Sequence, residues 1–78
     1  MAHRTVFRFE YADSGRAELV QRSLWPELDD IDGDRTTATL SREGPTLTLT
    51  IEARDLVALR AGCNTWATLT NVAEAVSI

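Results

Sequence analysis

The sequence predicts a two-layer α+β domain of order β-α-β-β-α, with a three-stranded antiparallel sheet and two helices on one face. Three observations carry this. Three segments alternate apolar and polar residues at the two-residue period of a strand. Two segments space their apolar residues by three or four, as one face of a helix does. Capping or turn residues separate each segment from the next.

The first strand reads Thr5-Val6-Phe7-Arg8-Phe9-Glu10-Tyr11, with Phe7, Phe9 and Tyr11 on one face. Ala12-Asp13-Ser14-Gly15 breaks it, and Asp13 is the residue suited to cap a following helix. That helix runs through Ala17, Val20 and Leu24 and ends near Trp25, because Pro26 disfavours a helical residue before it. An acidic loop spans Glu27 to Asp34. The second strand covers Thr36 to Ser41, and Glu43-Gly44 is a turn signal, with Pro45 suited to open the next strand. Thr46 to Glu52 alternates most cleanly of all. It puts Leu47, Leu49 and Ile51 on one face and Thr46, Thr48 and Thr50 on the other, together with Val6, Arg8, Glu10, Thr37 and Thr39. Asp55 then caps a helix whose residues Leu56, Leu59, Cys63 and Trp66 share a face.

A chain of 78 residues is one domain, 1–78, near the size at which a lone core is marginal, which raises the expectation of a partner. Its eight basic residues are all arginine, and the net charge of −4 arises in one place. Glu27, Asp29, Asp30, Asp32 and Asp34 form the surplus, and the remainder is close to neutral. A salt-adapted source and an arginine-favouring genome both account for this composition. The start lacks an apolar stretch and no run reaches about eighteen apolar residues, so no secretory signal or membrane span is expected and a cytoplasmic location is. The single cysteine, Cys63, excludes an intrachain disulfide framework.

Reactive chemistry is sparse. His3 and Cys63 are the only soft metal ligands, too few for a zinc site. Cys63 reads as a small buried hydrophobe and His3 as a tail residue. Asp30-Ile31-Asp32-Gly33-Asp34 superficially suggests a calcium loop, but placing Gly33 at the sixth position puts Leu28 first and Thr39 twelfth, and both fail as ligands. The four glycines are scattered, so there is no phosphate cradle. The strand-helix order invites comparison with KH domains, yet their GxxG clamp is missing. No cofactor is expected, and no pair of residues offers an acid, base or nucleophile. The last helix is apolar around more than half its circumference, through Leu56, Val57, Leu59, Cys63, Trp66, Leu69, Val72 and Val76. One three-stranded sheet cannot easily cover so wide a stripe, which points to docking against another chain. Gly62 inside it permits close approach, either of the domain's own sheet or of a partner's helix.

The pattern resembles the small Pcc-family, CTAG-like subunit of the KEOPS complex. The residues that carry the resemblance are Ala17-Glu18-Leu19-Val20, Ser23-Leu24-Trp25-Pro26-Glu27, and above all Ala53 through Ala61 followed by Asn64. Gly62-Cys63 and the long acidic loop depart from the family's habit. The resemblance implies a non-catalytic subunit that pairs with a copy of itself, docks the threonylcarbamoyl-transferring subunit and assists tRNA binding in the making of threonylcarbamoyladenosine. It assigns partner docking to Val20, Leu24, Leu56, Leu59, Arg60, Cys63 and Asn64. Arg8, Arg16 and Arg22 are candidates for RNA contact. A small-molecule-binding regulatory domain of an incomplete βαββαβ type is the alternative, and it would want a further strand after Val76-Ser77-Ile78.

Overall fold

The computed structural model describes residues 2–26, Leu28 and 36–76. In chain order these form β1 (His3–Glu10), α1 (Ser14–Leu24), β2 (Thr36–Glu43), β3 (Thr46–Ala53) and α2 (Leu56–Val76). The expected α+β order is present, with three antiparallel strands in the sequence β1-β3-β2. β3, with the cleanest alternation, is the central strand, and β1 and β2 are the edges. The acidic segment, and with it the candidate cation loop, lies outside the described residues apart from Leu28.

Register makes the two faces distinct. Phe7 lies opposite Leu49 and Leu49 opposite Leu40, whereas Val6 lies opposite Thr50 and Thr50 opposite Thr39. Both helices cover the first face. There Leu47, Leu49 and Ile51 are fully buried with Val20 and Leu24 of α1 and Trp66 and Ala73 of α2. The other face carries Arg4, Val6, Arg8 and Glu10 of β1 and the threonines of β2 and β3, and no described element covers it.

Two side chains start the helices where the sequence places them. Arg16 N donates to Asp13 Oδ1 at 2.8 Å, and Ala58 N donates to Asp55 Oδ1 at 2.8 Å. Each occupies a backbone donor that has no partner within its helix. α1 ends after Leu24, although Trp25, the residue before Pro26, itself keeps helical angles (φ −55°, ψ −47°) and donates its N–H to Gln21 O at 3.0 Å.

Three local expectations change. Pro45 does not open β3. Gly44 takes a positive φ of 59° and Pro45 follows it, so the pair forms the two-residue turn closed by Glu43 opposite Thr46. A turn whose first central residue has positive φ fits glycine there and matches the strands' twist. β1 starts two residues early, and His3 lies opposite Ala53 rather than in a tail, because ladder pairing extends β1 along the full length of β3. Tyr11 falls just past β1, although its backbone N–H still donates to Pro45 O at 3.0 Å.

Candidate functional site

The long helix divides into a buried arc and an exposed one. Ala58, Gly62, Trp66, Thr70 and Ala73 face inward, flanked by half-buried Leu59, Cys63 and Leu69. Helical geometry then carries Leu56, Val57 and Val72 to the exposed side, where they are 54%, 70% and 56% exposed. The expectation that Leu56 shares a face with Trp66 needs correction. Leu56 sits at the rim of the buried arc, because the packed stripe follows Ala58 and Gly62. The expectation that one sheet leaves part of this helix uncovered is met. A shallow groove lined by Asn64, Thr65, Thr68 and Leu69 runs along the same exposed surface. On α1, Leu19 and Trp25 are also exposed apolar residues.

The residues assigned to docking separate into three groups. Leu56, Arg60 and Asn64 are exposed on α2, and Leu59 and Cys63 are half-buried against the core. Val20 and Leu24 are at 0% and 1% exposure inside the chain's own core. Contact through those two would require the core to open, because the inward face of α1 is already occupied by β2, β3 and α2. Val57, Leu19 and Trp25 offer the accessible apolar surface instead. The phase of the wheel, anchored on Gly62 and Trp66 rather than on Leu56, is the signal that would have found Val57.

Gly62 is buried by the domain itself. A Cβ there would lie 3.3 Å from Ile51 Cγ2 and 3.8 Å from Thr36 Cγ2. The close approach it permits is therefore between α2 and the sheet, and not to a helix of another chain. The three arginines considered for RNA do not converge. Arg8 lies on the open sheet face, beside a polar depression shared with Glu10, Glu43, Thr46 and Thr48. Arg16 and Arg22 lie on the helix layer, and Arg22 pairs with Glu18 at 2.9 Å.

One polar contact ties the far end of α2 down, and one buried hydroxyl near it is unsatisfied. Tyr11 Oη donates to Glu74 Oε2 at 2.7 Å, and burial, then that bond and the carboxylate's charge, push the phenol above its ordinary range, with Arg16 opposing. Thr70 Oγ1 is buried without a hydrogen-bond partner among the described residues. Beside them, Phe7 and Phe9 stack with ring centroids 6.2 Å apart. An apolar cleft of about 110 Å³ separates these rings and Leu49 from Ala67 and Asn71 of α2. No described group of three or more His, Cys, Asp or Glu could hold a metal ion, and no described helix is long and apolar enough to cross a membrane.

The molecule is a small two-layer domain whose longest helix keeps Leu56, Val57 and Val72 exposed, and exposed apolar side chains of this kind are a feature of interaction modules. The Pcc1 family, described as transcription factor Pcc1, matches residues 4–77, and the chain belongs to this family of KEOPS subunits. That family is one of non-catalytic accessory subunits of a tRNA-modifying complex. No curated protein matches the chain.

Proposed function

We propose that the chain is a scaffold subunit of a KEOPS assembly, pairing with a second copy of itself and docking the threonylcarbamoyl-transferring subunit through its helices. Membership of the Pcc1 family supplies the assembly. The observation that carries the docking role is the exposed side of α2, where Leu56 and Val57 stand in water beside Arg60 and Asn64. Solvated apolar side chains of this size, next to polar ones that fix orientation, are the usual composition of a docking surface. Leu19 and Trp25 extend the surface to α1. Val20 and Leu24 act from beneath, holding α1 in place, while Leu59 and Cys63 form the rim between core and partner.

Direct capture of nucleic acid by this chain alone has weaker support. Its net charge is −4 and its candidate arginines lie on two different layers. A phosphate-binding surface needs basic residues gathered on one face. We assign Arg8, Arg16 and Arg22 auxiliary contacts with tRNA, made only within the assembled complex.

The test is light scattering after size exclusion, with and without the transferase subunit from the same genome, at low and at molar potassium chloride. The wild-type chain should join it in a defined complex. Leu56→Asp with Asn64→Arg should keep the fold, since both sites are exposed, and lose the complex. A folded double variant that still binds would rule out this surface.

A further inference from the structure

We infer that the far half of α2, Ala67 to Val76, works as a lid that detaches from the sheet and unravels as one unit while the rest of the domain stays folded. The Tyr11–Glu74 bond is its latch. The lid is separate from the docking role, whose exposed residues Leu56, Val57, Arg60 and Asn64 all lie on the near half. The composition of the helix is the first reason. Asn64, Thr65, Thr68, Thr70, Asn71 and Val72 are weak helix formers, whereas Leu56, Ala58, Leu59, Arg60 and Ala61 are strong ones. Gly62 interrupts the strong series but lies tight against Ile51 of the sheet. Thr68 Oγ1 donates back to Asn64 O at 3.0 Å, a bond of the kind that bends helices, and it marks where the halves meet. Once released, so short a segment falls below the roughly 12–15 residues at which even a good helix is marginal in water, and it unravels.

Packing is the second reason. Trp66 is the last large side chain that α2 buries fully. Beyond it the buried positions are Thr70 and Ala73, with Leu69 half-buried, so the far half removes little apolar area from water. The apolar cleft of about 110 Å³ lies against this half, between Ala67 and Asn71 on one side and Phe7, Phe9 and Leu49 on the other. Side chains that line such a gap lack partner atoms across it and lose those contacts. Thr70 Oγ1, buried without a hydrogen-bond partner among the described residues, gains one from water when the segment opens.

The latch offsets these weaknesses. α2 carries Glu74 in its last turn and no basic residue there, although the negative end of the helix dipole disfavours a carboxylate. Tyr11 Oη donates to that carboxylate at 2.7 Å and fastens the last turn to the residue that follows β1. Opening breaks this bond and uncovers the floor of the cleft, Phe7, Phe9 and Leu49, as an apolar surface.

Native-state hydrogen exchange of the whole chain, followed amide by amide in dilute denaturant, tests this. The amides of residues 70–76 should exchange about tenfold faster or more than those of 59–66, and should share one opening free energy and one denaturant dependence. Two variants separate the lid from global unfolding. Asp55→Ala removes a cap that the opened form keeps, so it should raise exchange about fivefold at 59–66 and leave 70–76 unchanged. Tyr11→Phe removes a bond that the opened and the unfolded forms both lack, so it should raise exchange about fivefold in both halves. Protection that falls residue by residue toward Val76 is fraying and overturns the lid. Asp55→Ala raising exchange equally in both halves also overturns it, because the helix then opens only with the whole domain. Exchange at 70–76 that ignores Tyr11→Phe overturns the latch.

Discussion

Replacing Gly62 separates packing inside the domain from docking outside it. The glycine lies within α2, where exchange for alanine favours the helix by about 1 kcal/mol. Against this, the new Cβ meets Ile51 Cγ2 at 3.3 Å. Ile51 is 1% exposed on the central strand, and its branched side chain has one strongly preferred rotamer, so α2 itself must move by a few tenths of an ångström. The two effects are similar in size, and Gly62→Ala should change stability by less than about 1 kcal/mol. Gly62→Leu has no such balance. Its further carbons enter space held by Ile51 and Thr36, and overpacking of this kind costs about 3 kcal/mol or more. For a domain of this length that lowers Tm by roughly 12 °C or more. Thermal unfolding followed by circular dichroism, with urea titration as a check, measures the series. A Gly62→Leu chain as stable as wild type, yet unable to bind the transferase subunit, would refute the reasoning and place Gly62 on the partner's side.

The remaining expectations are smaller and independent. Tyr11→Phe removes a hydrogen bond to a carboxylate and should cost about 1 kcal/mol, measured by urea midpoint at neutral pH. Because the phenol's pKa is raised in the folded state, its contribution is complete below about pH 10, its unfolded value, and falls as pH rises through the folded value. The wild-type chain should therefore lose stability above pH 10 in excess of Tyr11→Phe, and parallel curves would disprove the tie. Thr70→Val replaces a buried hydroxyl that lacks a partner and should stabilise by about 1 kcal/mol, whereas a loss would mean the hydroxyl is bonded in solution. Asp55→Ala removes the cap of α2 and should cost about 0.5–2 kcal/mol, visible in the same titration.

The candidate surface was only half legible in the residue order. Asp13, Asp55 and the strand alternation act over one to four residues, so their roles in caps and strands follow from sequence spacing. The faces of α2 do not, because a helix apolar around most of its circumference leaves open which apolar residues turn inward. Leu56 looked continuous with Trp66, but it is Ala58 and Gly62, the small residues, that let α2 settle on β3. Val20 and Leu24 were assigned to docking by the family resemblance, and the fold places them at 0% and 1% exposure, since apolar spacing on α1 cannot tell a core from a contact. Leu19 is exposed because Ala17, Val20 and Leu24 take the inward face of α1, and Trp25 is exposed just past the end of that helix.

By itself, the order of residues determined the element sequence, the caps, the polar and apolar faces of the sheet and the family to which the chain belongs. These rest on local periods and on short-range hydrogen bonds that every copy of the sequence carries. The tertiary structure alone decided that β3 is central and β1 an edge, that Gly62 serves the sheet, and that Leu56 and Val57 rather than Val20 and Leu24 meet the solvent. Each of these depends on contacts between residues far apart in the chain. Their geometry is fixed by which side chains are small enough to let two layers close.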